Sequence, residues 1–485
     1  MIKYSRLCIV IVFFFCISIN AQNKQLLYDF IEIPQALLLN PGMETSYKWN
    51  VGIPLISGFS AQFATSGVTV SDLYANDGID FVTKFREKVI GGLSFRDELN
   101  TSFQLELFNI GFRAKNNPNT FYSLGVYTEA DIIGYYFKDI VDLAFEGNGG
   151  DNIGRTFDLS HLKTRGEMLN VFHFGINKKM NNKLTLGARA KIYSSFFNFN
   201  STKNDGFFRT EDLGNNILRS TIDADLEIRA SGLNEIKNIL DNDAIADKGV
   251  EISSVLANRA LLGGNLGLGI DVGFTYQKNE NFVITGSILD LGFVNHTKDI
   301  LAYSLRGRVS AEGVRIEVPG DGSEAQDFYE NLIDDIEELV PFEENNDPYI
   351  SFRPTKLYGS ARYNFGKEIL PKQDCECTRN FLLSNRGKVF KNSVGGQLYV
   401  INRPRGPQAA LTAFYQHRIH NAMSLKTTYT IDKFSFTNIG LGLNVQAGPV
   451  NFYLLADNLL AYRNIADTHY SSVQFGLNII SWGKK

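Results

Sequence analysis

The chain has 485 residues, with 48 basic and 52 acidic side chains and a net charge of −4, which gives no reason to expect nucleic acid as a partner. Beyond the first two dozen residues, no run approaches the ~18 consecutive apolar residues of a membrane-spanning helix. The chain holds 43 glycines and 12% aromatics. Its mean hydropathy of −0.12 excludes only proteins that are apolar on every face.

At the start, Lys3 and Arg6 precede an apolar run from Leu7 to Ile19, and Ala21-Gln22 offers a small residue for cleavage. This predicts a secretory signal peptide over residues 1–21, its core too short to span a membrane comfortably. A lipoprotein signal would need a small residue before Cys16, where Phe15 stands. Residues 22–46 contain LLYDFIEIPQALLLNPG and read as an irregular N-terminal segment, either periplasmic or a plug for the domain after it. Residues 47–485 form one domain, because no Pro-rich or Ser-rich tract and no long charge run divides them.

Strand candidates then succeed one another: YKWNVGIPLI, FSAQFATSGVTV, SFQLELFNIGFRA, TFYSLGVYTEADI, MLNVFHFGINKKM, KLTLGARAKIYSSFFNF, GGNLGLGIDVGFTYQ and NFVITGSILDLGF, continuing with TKLYGSARYNFG, SVGGQLYVIN, QAALTAFYQHRI and AMSLKTTYTID. Most reach ten or more residues, near the roughly 9–11 that a tilted strand needs to cross a bilayer. The C-terminal strands show the plainest alternation. Ile439, Leu441, Leu443 and Val445 fall on one face, with Asn438, Gly440, Gly442 and Asn444 on the other. Val450, Phe452 and Leu454 oppose Asn451, Tyr453 and, less cleanly, Leu455; Val473, Phe475, Leu477 and Ile479 oppose Gln474, Gly476 and Asn478. A soluble sandwich would turn the oily face inward, a transmembrane barrel outward.

Connection lengths decide between them. KNNPN, NKKMNN, KNEN, HN and AGP are tight, whereas 135–166, 200–262 and 294–354 are long excursions. Short turns at one end and long loops at the other describe a transmembrane barrel. The expected fold is therefore all-β: a single antiparallel transmembrane β-barrel in the outer membrane. It has about 14 strands if Ser220–Ala230 and Ala302–Glu312 belong to loop excursions, and 16 if both span. The excursions carry helical patterns, the plainest being EAQDFYENLIDDIEELV.

QALLLNPGMETSYKWNVGIPLISGFSAQFATSG, GSILDLGFVNH, FRPTKLYGSARYNFG and IGLGLNVQAGPVNFYLLADNLL, in that order, resemble a family of Bacteroidota outer-membrane β-barrel proteins classed as a domain of unknown function. The resemblance covers nearly the whole mature chain and is most specific in LGLGLN…GP…YLLADNLL. More distantly, the architecture is similar to the fatty-acid channel barrels and to barrel subunits of the type IX secretion system. This implies a location and a fold, and no catalytic residues.

Motifs for chemistry are sparse. His417 and His420 form HRIH, but residues three apart on a strand face opposite sides. His173 takes the lumen parity of its strand. Once Cys8 and Cys16 leave with the signal peptide, Cys375 and Cys377 are a loop thiol pair or a local disulfide, too few ligands for zinc. The acidic segments 146–152 and 344–349 lack the spacing of a calcium loop. Neither HExxH nor GxSxG occurs, and no cofactor or metal is expected. The glycines of GGNLGLGIDVG save room on the lumenal face rather than cradle a phosphate.

The residues of interest are polar ones destined for lumen or rim. Asp457 and Asn458 close a strand at its outer end, and Asp290 occupies a similar place; Arg189, Lys191 and Arg362 take lumen parity. A charge facing lipid at mid-membrane would cost about 2–4 kcal/mol, less for acids, so these side chains belong inside. The leading expectation is transport or binding of a small or hydrophobic solute, without enzymatic activity, by a barrel in contact with outer-membrane lipid. The alternative is a structural or secretion-associated barrel anchoring periplasmic or surface proteins, and the third a barrel-embedded hydrolase.

Overall fold

A computed structural model describes residues 24–214, 217–242, 244–312, 342–369, 389–419, 422–434 and 436–481. The expected signal peptide, Cys375, Cys377, His420 and the expected helix over EAQDFYENLIDDIEELV lie outside the described residues.

Fourteen antiparallel strands close into one barrel. In order they are β1 (Trp49–Gly52 with Phe59–Thr65), β2 (Glu98–Arg113), β3 (Thr120–Tyr135), β4 (Thr164–Lys179), β5 (Leu184–Asp212), β6 (Asn265–Gln277) and β7 (Phe282–His296). Next come β8 (Tyr349–Phe352 with Lys356–Glu368), β9 (Phe390–Arg403), β10 (Gly406–Ile419), β11 (Met423–Ile431), β12 (Asn438–Ala447), β13 (Val450–Asp457) and β14 (Tyr470–Ser481). Each pairs with its sequence neighbours in the wall, and β1 closes the ring by pairing with both β14 and β2.

The two segments that made the count ambiguous stay out of the wall. β5 is 29 residues long, about three times what a bilayer crossing requires. Its first part pairs with β6 up to Ser195↔Asn265; from Asn198 onward it pairs instead with Leu218–Ser231. That strand pairs in turn with Ile300–Glu312 and, through it, with Phe342–Asn345, so the sheet continues beyond the barrel at the long-loop end.

The alternation resolves as lipid barrels require. Ile439, Leu441, Phe452 and Leu454 face out and are exposed, while Asn438, Asn444, Asn451 and Asn478 face in and are buried. No helix among the described residues is long and apolar enough to cross a membrane. With the sandwich excluded by the closed ladder, the apolar side chains form an outer belt.

Two interruptions shape the wall. Residues 53–58 break β1, with Leu55 at φ +67°. Opposite the break in β8 at 353–355, β7 carries a bulge between Ile288 and Leu291, where Asp290 adopts φ +59°. Asp290 is therefore not at the outer end of its strand, as SILDLG suggested. The strand runs on to His296, and the bulge turns the carboxylate inward.

Candidate functional site

The lumen is the site, and it is occupied by the chain's own N-terminal segment. Leu26, Tyr28, Phe30, Ile33 and Ala36 are buried within the barrel, packed against lumen side chains that include Tyr358, Tyr399, Ile401, Tyr453 and Leu455. The off-pattern Leu455 is thereby explained, since Leu455, Leu26 and Phe30 converge over Gly442. Tyr28 stacks on Tyr358 with ring centres 4.8 Å apart.

A buried irregular segment must have its backbone groups satisfied, and here wall side chains do it. Gln397 Nε2 and Lys426 Nζ donate to Tyr28 O at 3.0 and 2.6 Å. Ser287 Oγ donates to Leu39 O at 2.6 Å, and Asn177 Nδ2 to Pro41 O and Met43 O at 2.7 Å each. Side chains add charge pairing: Arg362 Nη1 meets Asp29 Oδ1 at 2.7 Å, Arg418 Nε meets Glu32 at 2.5 Å, and Gln35 donates to Glu106 at 3.0 Å. Burial pushes the Glu44 carboxyl up to about 7, against the pull of Arg362 and Lys179 and a hydrogen bond from Gln277. Glycine makes the close pass feasible: a Cβ on Gly187 would lie 2.0 Å from Pro41 O, and one on Gly273 2.2 Å from Asn40 Oδ1.

Above this segment lies an ion network that brings three of the expected residues together. Lys191 Nζ bridges Asp271 at 2.8 Å and Asp290 at 2.7 Å; Arg189 holds Asp271 at 3.0 Å and donates to Leu38 O at 3.0 Å. Lys356 joins Asp290 at 3.0 Å to Glu129 at 2.7 Å, and Arg353 pairs with Glu167 and, at 3.4 Å, with Glu129. Arg362 stands apart from this network, on Asp29. Asp457 and Asn458 make a separate set of contacts at the long-loop end of β13. Asp457 accepts from Ser472 Oγ at 3.1 Å, while Asn458, at φ +54°, donates from its backbone to Asn438 Oδ1 at 2.6 Å and from Nδ2 to Tyr470 O at 2.8 Å.

Asp271, Glu129, Glu167, Arg353 and Lys356 were not singled out from the sequence. Asp271 was legible, being on the glycine parity of GGNLGLGIDVG; Arg353 was not, because it falls in the break of β8.

Other candidate chemistry resolves as contacts within the fold. His417 bonds Asn392 Oδ1 at 2.8 Å near the outer face, and buried His173 lies beside Tyr127 with ring centres 5.8 Å apart. In the acidic loop segment, Asn148 donates to Thr210 and Ser220 at 3.1 Å each. Among the described residues no group of His, Cys, Asp and Glu could hold a metal ion. Among the described residues, a serine–histidine set stands at His296, which contacts Ser231 Oγ at 2.7 Å and Ser351 Oγ at 2.8 Å, one on each ring nitrogen. His296 is stacked on Tyr349 and fully buried, with both nitrogens committed to hydroxyls, so the set joins the extension sheet to the barrel and offers a substrate no approach.

An inward polar, outward apolar closed cylinder with an occupied lumen defines a plugged β-barrel of membrane type. The chain belongs to the family of unknown function DUF5723, whose model matches residues 41–457. No curated protein matches the chain. Among solved structures it is similar to a Pseudomonas aeruginosa FadL homologue (8% identity, 93% of this chain and 94% of that one, TM-score 0.39). It is also similar to the Ralstonia pickettii toluene transporter TbuX (9% identity, 92% of each chain, TM-score 0.37) and the Pseudomonas putida toluene transporter TodX (9%, 92% of each, 0.35). The barrel assignment itself rests on the closed ladder.

Proposed function

We propose that this protein is an outer-membrane β-barrel that moves or captures a small hydrophobic solute without chemistry, its long loops outside and its tight turns in the periplasm. The outward belt suits lipid contact. The observation that carries the solute class is the apolar stretch of inner wall around Tyr358, Tyr399, Ile401 and Leu455, covered by Leu26, Tyr28 and Phe30 of the N-terminal segment. A wall that conducts only ions and water has no use for such a surface. A segment whose apolar side chains can be exchanged for those of a solute gives it one.

The test is capture. Protein in lipid nanodiscs is exposed to a panel of small apolar solutes, and bound solute is counted against empty discs. The full chain, or the chain lacking 24–47, should retain solute, and Leu455→Lys should retain less. Retention no greater than in empty discs by either chain sinks the reading.

A second reading, a barrel anchoring surface or periplasmic proteins, is favoured by the long-loop end. There the sheet extends beyond the barrel, and Tyr74, Val82 and Phe436 stand largely exposed. It predicts no solute retention and a stable protein complex assembled on the loops.

A further inference from the structure

Toward the long-loop end, carboxylates and cations gather mainly on opposite parts of the inner wall, with Arg165 of β4 as an exception beside Glu167 at 3.5 Å. β2–β4 contribute the carboxylates Glu98, Glu129, Asp131 and Glu167. β8 to β11, with the turns between them and after β11, contribute the cations Arg353, Lys356, Arg403, Arg405 and Lys433. The two groups of strands are not neighbours in the sheet, yet their side chains meet. Glu98 accepts from Gln408 Nε2 at 2.9 Å and pairs with Lys433 at 3.0 Å. Asp131 pairs with Arg403, Glu129 with Lys356 at 2.7 Å, and Glu167 with Arg353. Arg405 donates to His161 O at 2.9 Å and lies over the Tyr135 ring at 4.2 Å. These contacts join residues from 186 (Glu167 to Arg353) to 335 (Glu98 to Lys433) apart in sequence and cross the bore rather than run along the ladder.

The ladder already closes the cylinder through backbone bonds, so cross-lumen pairs are not needed to hold the strands. Buried ion pairs also add little net stability, because desolvation offsets most of the attraction. That near-balance is what a two-state closure requires: paired and dry, the walls seal the bore; separated and hydrated, they cost little more. Drawing opposite walls together excludes solvent from the passage beneath.

We propose that this seam is an outer gate, in series with the N-terminal segment, which opens when the ion pairs between β2–β4 and β8–β11 separate. It rests on the transport reading and adds to it a second barrier with named residues.

The test is access to a thiol beneath the seam. Thr412 is buried on the inner face of β10, below Gln408, where its Oγ1 shares a hydrogen bond of 2.9 Å with Thr430. In the full chain carrying Cys375→Ser and Cys377→Ser, Thr412→Cys is labelled from the loop side with a small charged methanethiosulfonate. The parent should label slowly. Asp131→Asn and Arg403→Gln should each raise the rate by roughly tenfold or more, and the reversed pair Asp131→Arg/Arg403→Asp should bring it back. Should either single variant lose the heat-modifiable mobility of a folded barrel, Glu98→Gln replaces it, since its partner Lys433 is partly exposed. Folded variants that label at the parent rate overturn the proposal, as does a reversed pair labelling as fast as the singles. Labelling that tracks the pairs in a barrel that captures no solute keeps the gate and sinks the transport reading. The opposite pattern sinks the gate alone.

Discussion

Asp29 ties the N-terminal segment to the wall through a buried charge pair. Its carboxylate accepts from Arg362 Nη1 at 2.7 Å and from Ser360 Oγ at 3.1 Å, and both charged side chains are buried. Asp29→Asn keeps the shape and one acceptor oxygen but leaves the guanidinium in the lumen without its counter-charge. Removing one member of a buried pair costs about 3–5 kcal/mol, and the retained acceptor places this variant near the lower end, about 3 kcal/mol. At about 1.4 kcal/mol per factor of ten, the population with the segment undocked should rise roughly 100-fold. Glu44, the other carboxyl near Arg362, is held largely neutral by burial at pH 6 and cannot take over the role there. The measurement is amide hydrogen exchange at pH 6, monitored by mass spectrometry, on peptides covering 26–40. Exchange there should accelerate by about two decades while peptides from β9 to β14 keep the parent rate. The double variant Asp29→Asn/Arg362→Gln, which removes both charges, should recover most of the protection. Unchanged exchange in folded Asp29→Asn, or a double variant as open as the single one, refutes the claim that this pair docks the segment.

The same contacts set three further outcomes. Gly187→Ala would drive a methyl into Pro41 O, so segment exchange should quicken by the equivalent of about 1–3 kcal/mol, whereas Gly396→Ala, whose nearest neighbour is 3.9 Å away, should be silent. Glu44 has its carboxyl raised in the docked state, so undocking releases a proton. Docking is then strongest below the ordinary carboxylate range, weakens as pH rises from about 4.5 to 7, and is insensitive to this group above that; exchange at matched chemical rates should show the trend, and Glu44→Gln should abolish it. Lys191→Met leaves Asp271 and Asp290 facing each other without their shared cation, which should lower barrel stability by about 3–5 kcal/mol, read as a lower denaturant midpoint for loss of heat-modifiable mobility.

Alternation along single strands was enough to show which residues face inward, because the lipid side tolerates only apolar groups. Ile439 to Val445 need no partner strand to be read this way, and Asp271 could have been added to Arg189 and Lys191 by the same parity. What stands opposite an inward residue is a different matter. Lys356 and Glu129 are 227 residues apart, and Asp29 and Arg362 meet across 333. Nothing local in SILDLG announced the bulge that turns Asp290 into the network, since the residues on both sides of it continue the strand pattern.

The strand count shows where local pattern stops being informative. Leu218–Ser231 alternates as well as any spanning strand, with Ile222, Ala224, Leu226 and Ile228 on one face and Asp223, Asp225, Glu227 and Arg229 on the other. It and Ile300–Glu312 had to enter the wall together or stay out together, because one alone would reverse the phase of every earlier hairpin. The decision is made where β5 leaves β6 for its other partner, between Ser195 and Asn198. Arg259 is buried at that branch. It donates to Phe196 O at 2.9 Å and Gly232 O at 2.5 Å, pairs with Asp299 at 3.0 Å, and its carbonyl accepts from Ser194 Oγ at 2.5 Å. One guanidinium thus holds the end of the wall, the root of the extension hairpin and the loop that returns to β6. Read as part of a helical loop excursion, Arg259 carries no mark of that role; only the meeting of three chain segments gives it one.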